Sequence, residues 1–347
     1  MNREVLAEVA AQLVGEGKGV LAADESSPTL TKRFDSLGVT STEESRRSYR
    51  EMLFSTPGLS RFISGVIMYD ETIHQSVADG TPFPSFLAGS GILPGIKVDT
   101  GAKPLAGAPH ETVTEGLDGL RDRLSHYRDI GARFAKWRAV IAIGDGIPSG
   151  YCLHTNAHAL ARYAALCQEA NIVPIVEPEV MMEGDHSLET CLMTTTETLK
   201  KVFDELHDQR VFLGGIILKA NMVLPGKDCP EQAPVEEVAA ATISCMRAVV
   251  PAEVPGIAFL SGGQTDEDAS AHLNAMNRTK QRSPWQLTFS YARALQGPAL
   301  RIWAADQTAI EQAQQALHHR AKMNSLARSG RYSAEAEKLD DVAAHAH

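Results

Sequence analysis

Lys136 and Arg138 stand two apart in Phe134-Ala135-Lys136-Trp137-Arg138, and Glu177 and Glu179 stand two apart around Pro178. Residues two apart in a strand share a face, so each pair projects its charge to one side. Lys219 ends the run Ile216-Ile217-Leu218, Lys97 follows Ile96, and Asp24 and Glu25 follow the apolar run Gly19–Ala23. Four cations, Lys97, Lys136, Arg138 and Lys219, thus stand against three anions, Asp24, Glu177 and Glu179. The surplus positive charge could be relieved by one lysine losing its proton. Cationic neighbours and desolvation both lower an ammonium pKa and leave more free amine at neutral pH. A free amine attacks a ketone to give a Schiff base, whose protonated imine is an electron sink for making or breaking a nearby carbon–carbon bond. That chemistry needs a lysine, a carboxylic acid to help expel water, and a base to take a hydroxyl proton. All three residue types are present. The competing reading is an ion-pair network that only holds strands together, but buried pairs are poor stabilisers because desolvation can exceed the Coulombic gain.

Anion recognition is the second requirement. Leu260-Ser261-Gly262-Gly263-Gln264 precedes a helix expected to begin near Thr265 to Asp268, and Phe289-Ser290-Tyr291-Ala292-Arg293 places a cation after another apolar run. Backbone N–H groups at such a turn, with a nearby cation, suit a phosphate. Alone, Ser-Gly-Gly is a weak signal, because most such triplets are turns.

These groups need elements to hold them. Eight short apolar runs read as strands: Gly19–Ala23, Phe62–Tyr69, Gly95–Val98, Phe134–Arg138, Ile172–Glu179, Gly215–Lys219, Gly256–Ser261 and Leu287–Tyr291. Most consecutive runs start roughly 30 to 45 residues apart, the size of a βαβ unit. Between them lie helical periods. Leu117, Leu120, Leu124, Tyr127 and Ile130 form one; a second is expected to start at a Thr155 cap and end near Asn171; Leu199, Val202, Phe203 and Leu206 mark a third. The expected fold is α/β, a (β/α)8 TIM barrel, in which functional groups collect at the C-terminal ends of the strands and phosphate sites follow the last two. An open doubly wound sheet would favour a glycine fingerprint after an early strand, and Gly89-Ser90-Gly91-Ile92-Leu93-Pro94-Gly95 has the wrong spacing. No composition break splits the chain. Residues 1–328 read as one barrel domain and 329–347, rich in Ser, Ala, Glu and His, as a flexible C-terminal tail.

Composition narrows the partners. The 347 residues carry a formal charge of -10, which argues against nucleic acid or an anionic membrane as the main partner. A small anion is still admissible, since a local basic pocket can oppose the global sign. No stretch approaches the roughly 18 apolar residues of a membrane span, and no apolar run follows Met1-Asn2-Arg3. The five cysteines lack a CxxC pair and read as reduced, structural thiols of a cytoplasmic protein. His154 and His158, four apart, could form a zinc pair, but no HExxH or Cys-rich spacing supports one, and solvated or core histidines are the better reading. Trp137 reads as packing. Glu43, Glu44, Arg46, Arg47 and Arg50 read as a solvated helix face of i,i+3 and i,i+4 pairs.

The segments Leu21-Ala22-Ala23-Asp24-Glu25-Ser26, Gly95-Ile96-Lys97-Val98-Asp99, Phe134 to Arg138, Ile172 to Glu179, Leu218-Lys219-Ala220-Asn221-Met222-Val223 and Phe259 to Gln264 together closely resemble the class I fructose-bisphosphate aldolases. The resemblance runs from Gly17 to about Tyr332. It implies a metal-independent lyase without a cofactor, on a (β/α)8 barrel, usually a homotetramer, acting on a sugar bisphosphate. By motif match Lys219 would be the Schiff-base lysine, Glu177 the acid/base of carbinolamine dehydration, and Asp24 the base for the substrate 4-hydroxyl. Lys136 and Glu179 would give electrostatic support. Ser261, Gly262 and Arg293 would hold one phosphate, and Lys97, Arg138, Arg33 and Thr29 would serve the phosphates or their surroundings. For Arg33 a solvent-facing salt bridge is an equal reading. A related sugar, sedoheptulose bisphosphate, is the alternative substrate. Four departures stand out. Ala220 replaces a frequent Pro, Thr29 replaces a Ser, and Ala292 replaces a Gly, which matters only if that position needs a positive φ. The tail ends Asp341-Val342-Ala343-Ala344-His345-Ala346-His347 without the terminal Tyr of eukaryotic members, leaving that proton transfer to a tail histidine, to water, or to slower turnover.

Overall fold

A computed structural model of the chain describes residues 1–279 and 283–338. Eight parallel strands close on themselves in chain order: β1 (Gly19–Ala23), β2 (Ile63–Met68), β3 (Leu93–Lys97), β6 (Phe134–Ile141), β7 (Val173–Val180), β8 (Ile217–Ala220), β9 (Gly256–Phe259) and β10 (Gln286–Tyr291), with β10 returning to β1 through Val20 and Ser290. Each of the eight apolar runs became one of these strands. The two left over, β4 (Gly101–Pro104) and β5 (Thr112–Glu115), form an antiparallel hairpin over the mouth between β3 and β6. No signal for it was read in the sequence, because four polar-rich residues a side carry no apolar alternation.

Helices wrap the barrel: α1 (Arg3–Leu13), α2 (Ser27–Ser36), α3 (Glu43–Phe54), α4 (Asp70–Ile73), α5 (Phe83–Gly89), α6 (Leu120–Asp129), α7 (Gly150–Glu169), α8 (Leu188–Asp208), α9 (Val235–Val249), α10 (Asp266–Arg278), α11 (Arg293–Ala305) and α12 (Ile310–Arg328). The α10 start agrees with expectation, Thr265 capping it through Asp268 N. The α7 start does not. Ser149 is the cap, accepting from Cys152 N, and Thr155 lies inside the helix. A Ser whose side chain reaches the third N–H is an effective stop for the free donors of a first turn, and it wins six residues earlier than the expected Thr.

The outward faces of the strands pack Leu21, Ala135, Trp137, Val176, Leu218 and Phe259 beneath the helices. Trp137 is fully buried, its ring 5.5 Å from that of Tyr163. The inward faces make a second, smaller core. Val20, Ala22, Ile67, Phe134, Val173, Ile175, Ile217 and Ala258 fill the lower barrel, and Leu6, Ala10 and Leu13 of α1 plug its floor. Phe134 needs glycine opposite it. A Cβ on Gly95 would fall 2.2 Å from the ring.

Two surface readings change. Arg50 is buried, not solvated, and donates to Glu25 Oε2 at 2.9 Å, and Arg46 pairs with Glu71 off the helix, whereas Arg47 does make the expected i,i+3 pair with Glu44 and a further one with Glu51. The segment from Ser329 is docked as far as Lys338: Tyr332 N donates to Asn274 Oδ1 at 3.0 Å, and Glu337 accepts from Arg320 and sits 2.8 Å from His319 Nε2. These contacts lie beyond 328, inside the expected tail. Its remainder, 339–347, including the tail histidines, lies outside the described residues.

Candidate active site

Alternation carries the apolar floor into a charged mouth on the same strand faces. Val20 and Ala22 lead to Asp24, Phe134 to Lys136 and Arg138, Ile175 to Glu177 and Glu179, and Ile217 to Lys219. All twelve residues singled out by sequence line one cavity of about 350 Å³: Asp24, Thr29, Arg33, Lys97, Lys136, Arg138, Glu177, Glu179, Lys219, Ser261, Gly262 and Arg293.

At its centre three strands exchange charge. Lys136 Nζ lies 2.7 Å from Asp24 Oδ2 and 3.3 Å from Glu177 Oε2, and Lys219 Nζ lies 3.0 Å from Glu177 Oε1. All four side chains are at most one-tenth exposed. Glu177 Oε2 is within ion-pair reach of Lys136 yet has no well-directed hydrogen bond, so one buried carboxylate oxygen faces the cavity with spare capacity. Burial opposes ionisation of Asp24, but the charges of Lys136 and Lys219 outweigh it and pull its carboxyl down to about 2. Glu177 is held below the usual carboxylate range by the same contest: burial pushes it up, and Lys136, Lys219 and Arg138 push it further down. For Lys136 burial disfavours the ammonium, and Asp24, Glu177 and Asp99 more than reverse it, so it stays charged.

A second layer flanks this core. Arg138 Nε donates to Glu179 Oε2 at 2.5 Å. Lys97 Nζ donates to Asp99 Oδ1 at 2.6 Å and to Asp99 O at 3.0 Å, while Asp99 Oδ2 accepts from Arg138 N at 3.2 Å. Asp99 is a functional neighbour that the charge count missed. It overturns the expected surplus: four cations meet four anions, and the core is balanced. The signal was available, since Asp99 follows Lys97 by two, the spacing that flagged Lys136 and Arg138.

On the β1 side, Ser26 caps α2 and shares a 3.0 Å hydroxyl contact with Thr29. Arg33 lines the cavity and pairs with Glu25 at 2.5 Å, an ion pair that is part-buried and not solvent-facing. Glu25 is a hub: it also accepts from Arg50 and from Gln296, which fixes the first turn of α2 beside the cavity. On the opposite side, Gly262 and Gly263 take φ of +57° and +92° in the turn after β9, and Ser261 and Gly262 line the cavity. Arg293 begins α11, and Ala292 before it has φ −103°, a value alanine adopts freely. The Gly-to-Ala departure therefore meets no positive φ.

His154 and His158 lie exposed on α7, which carries none of the mouth residues, 3.5 and 3.1 Å from the carboxylate of Glu205 on α8, as the solvated reading expects.

A buried lysine sharing a carboxylate with a second lysine, and an ionised Asp beside it, have the groups needed to form an imine and move protons around it. The comparisons agree with that chemistry. The model of the family described as fructose-bisphosphate aldolase class-I matches residues 5–346. The chain is 58% identical over 333 residues to a probable fructose-bisphosphate aldolase class 1 of Xanthomonas campestris, covering 96% of this chain and 99% of that protein. It is 48% identical to the cytosolic fructose-bisphosphate aldolase 4 of Arabidopsis thaliana, over 94% of this chain and 84% of the other. A solved fructose-bisphosphate aldolase from Plasmodium falciparum superposes with a TM-score of 0.93 at 44% identity, covering 95% of this chain and 96% of that one. With a family model spanning nearly the whole chain, and the barrel and charged mouth already in view, this chain belongs to the class I fructose-bisphosphate aldolase family.

Proposed function

We propose that Lys219 is the amine through which this aldolase reversibly cleaves fructose 1,6-bisphosphate into dihydroxyacetone phosphate and glyceraldehyde 3-phosphate. The observation that carries the assignment is the Lys219–Glu177–Lys136–Asp24 chain of contacts. Lys219 gives up its ammonium proton and attacks the C2 ketone; Glu177, 3.0 Å away, is the proton acceptor in reach. Glu177 then returns a proton to the carbinolamine oxygen, which leaves as water and yields the imine. Asp24, held ionised, accepts the 4-hydroxyl proton. The C3–C4 bond breaks, its electron pair passes to the protonated imine as an enamine, and the aldehyde product departs. Protonation at C3 and hydrolysis release the ketone and regenerate the amine. Lys136 lies between both carboxylates and steadies whichever is charged, and Glu179 holds Arg138. Ser261, Gly262 and Arg293 bind one phosphate, and Lys97, Arg138, Arg33 and Thr29 serve the other end of the cavity.

The same reading carries a single barrel domain through residue 328, a homotetramer and a cytoplasmic location. The cytosolic plant relatives support the last, and no helix among the described residues is long and apolar enough to cross a membrane. Sedimentation at several concentrations checks the tetramer. The mechanism is tested by reducing the protein with borohydride in the presence of dihydroxyacetone phosphate and mapping the modified peptide. A stable adduct on Lys219 is expected, and an adduct on any other lysine would overturn the assignment.

A further inference from the structure

Lys227 sits in the loop after β8, outside the segments that carried the family resemblance. Three backbone hydrogen bonds lace that loop to the one after β7: Gly226 N to His186 O at 2.8 Å, Lys227 N to Met182 O at 2.8 Å, and Asp228 N to Gly184 O at 2.9 Å. The backbone of Lys227 is thus fixed, while its four-carbon stem keeps rotational choice. Its Nζ pairs with Glu183 Oε1 at 3.0 Å, and both side chains are well exposed, at 39% and 53%.

The same ammonium leans over the phosphate turn. The point where a Cβ would stand on Gly263 is 3.0 Å from Lys227 Nζ and 3.1 Å from Arg293 Nη2. Two cations therefore converge on one spot above the Gly262–Gly263 turn, and only a glycine leaves that spot open. Arg293 has no ion pair among the described residues. The mouth core is balanced, four charges against four. At this turn Lys227 pairs with Glu183, while Arg293 meets no carboxylate among the described residues. A phosphate monoester brings about −1.5 to −2 charges and three acceptor oxygens, which one arginine does not match alone.

We propose that Lys227 is a phosphate-binding residue that exchanges Glu183 for the substrate phosphate held at Ser261–Gly263 and Arg293. The proposal rests on the reading of that turn given under Proposed function. The exchange is favourable because an exposed lysine–carboxylate pair is weak, whereas charge-assisted hydrogen bonds to a dianion are short and strong. Glu183 holds the ammonium within reach of the turn while no phosphate is there, and competes with phosphate for it.

The test is steady-state kinetics of the full chain with fructose 1,6-bisphosphate, together with inhibition by inorganic phosphate. Lys227→Met is expected to raise KM and the phosphate Ki roughly tenfold while kcat stays within about twofold. Lys227→Arg, which keeps the charge, should stay within about threefold of the parent. Glu183→Gln removes the competitor and should lower the phosphate Ki. An unchanged KM and Ki in a folded Lys227→Met protein, or a fall in kcat alone, overturns the proposal. If Lys227→Met does not fold, the direction of the Glu183→Gln shift decides. Borohydride trapping of the parent protein keeps the two readings apart. Trapping away from Lys219 sinks the parent reading, whereas trapping at Lys219 with an insensitive Lys227→Met sinks only this one.

Discussion

Along the inward row of β6, Phe134 fills the barrel floor against Gly95, and Lys136 and Arg138, two and four residues on, stand among carboxylates at the mouth. The same strand, the same face and about 13 Å of rise separate an apolar plug from a charged site. At the floor the energetics are additive in the ordinary way, through area removed from water and close contact. At the mouth each charge is tolerated because its partner is there. Removing Glu177 strands Lys219, and removing Asp24 leaves Lys136 with Glu177 alone. The floor thus contributes stability with no chemical demand. The mouth holds groups whose value lies in being ionised without water.

That division is open to attack from both ends. Lys219→Met should cut turnover by on the order of 10⁴-fold or more, because the nucleophile is lost. Its melting temperature should stay close to the parent's, since a methionine fills the stem's volume and frees Glu177 of one partner while leaving Lys136. A large drop in melting temperature would show the mouth to be structural. The reverse case is Phe134→Ala, expected to cost about 3–5 kcal/mol in denaturant unfolding while leaving kcat per folded molecule near the parent value. Lost turnover in the folded fraction would mean that the floor sets the geometry of the mouth.

Acid probes the boundary between the two ends. The folded pKa of Asp24, about 2, lies below its ordinary 3.8. Its ionised form therefore contributes stability at pH above about 4, and this contribution fades as pH falls toward 2. Comparing unfolding midpoints of the parent and Asp24→Asn between pH 6 and 2 should show a difference that shrinks by roughly 2 kcal/mol on acidification. A pH-independent difference would break the assignment of Asp24 as ionised. The smallest effect is expected far from both ends. His158→Asn removes an exposed partner of Glu205 and should change stability by less than about 0.5 kcal/mol, without altering activity in the presence of a chelator.

Which parts were legible in the sequence follows from range. The eight strands were readable because each is a local apolar run, and the mouth was readable because charge every second residue in such a run is itself a local pattern. Arg50 was misread because its partner, Glu25, is 25 positions earlier, and nothing within one helix announces a carboxylate arriving from another element. The β4–β5 hairpin carries its two short strands without apolar periodicity, held by pairing and by Thr112 and Thr114 hydroxyls donating to Val140 O and Arg138 O of β6. The docking of residues 329–338 depends on Arg320, His319 and Asn274, residues on other helices that no tail composition reveals.

Barrel closure joins the two ends of the chain. Val20 pairs with Ser290, Thr288 Oγ1 donates to Lys18 O across 270 positions, and Arg328 reaches Lys18 O and Val14 O. A chain emerging from a ribosome exposes Asp24, Lys97, Asp99, Lys136 and Arg138 first, then Glu177, Glu179 and Lys219, and only near its end Ser290 and Arg293. During synthesis the early half carries its future interior charges in water with an unpaired β1 edge, and that edge waits for the last strand. However stable the finished barrel is, that edge stays open for as long as β10 takes to arrive.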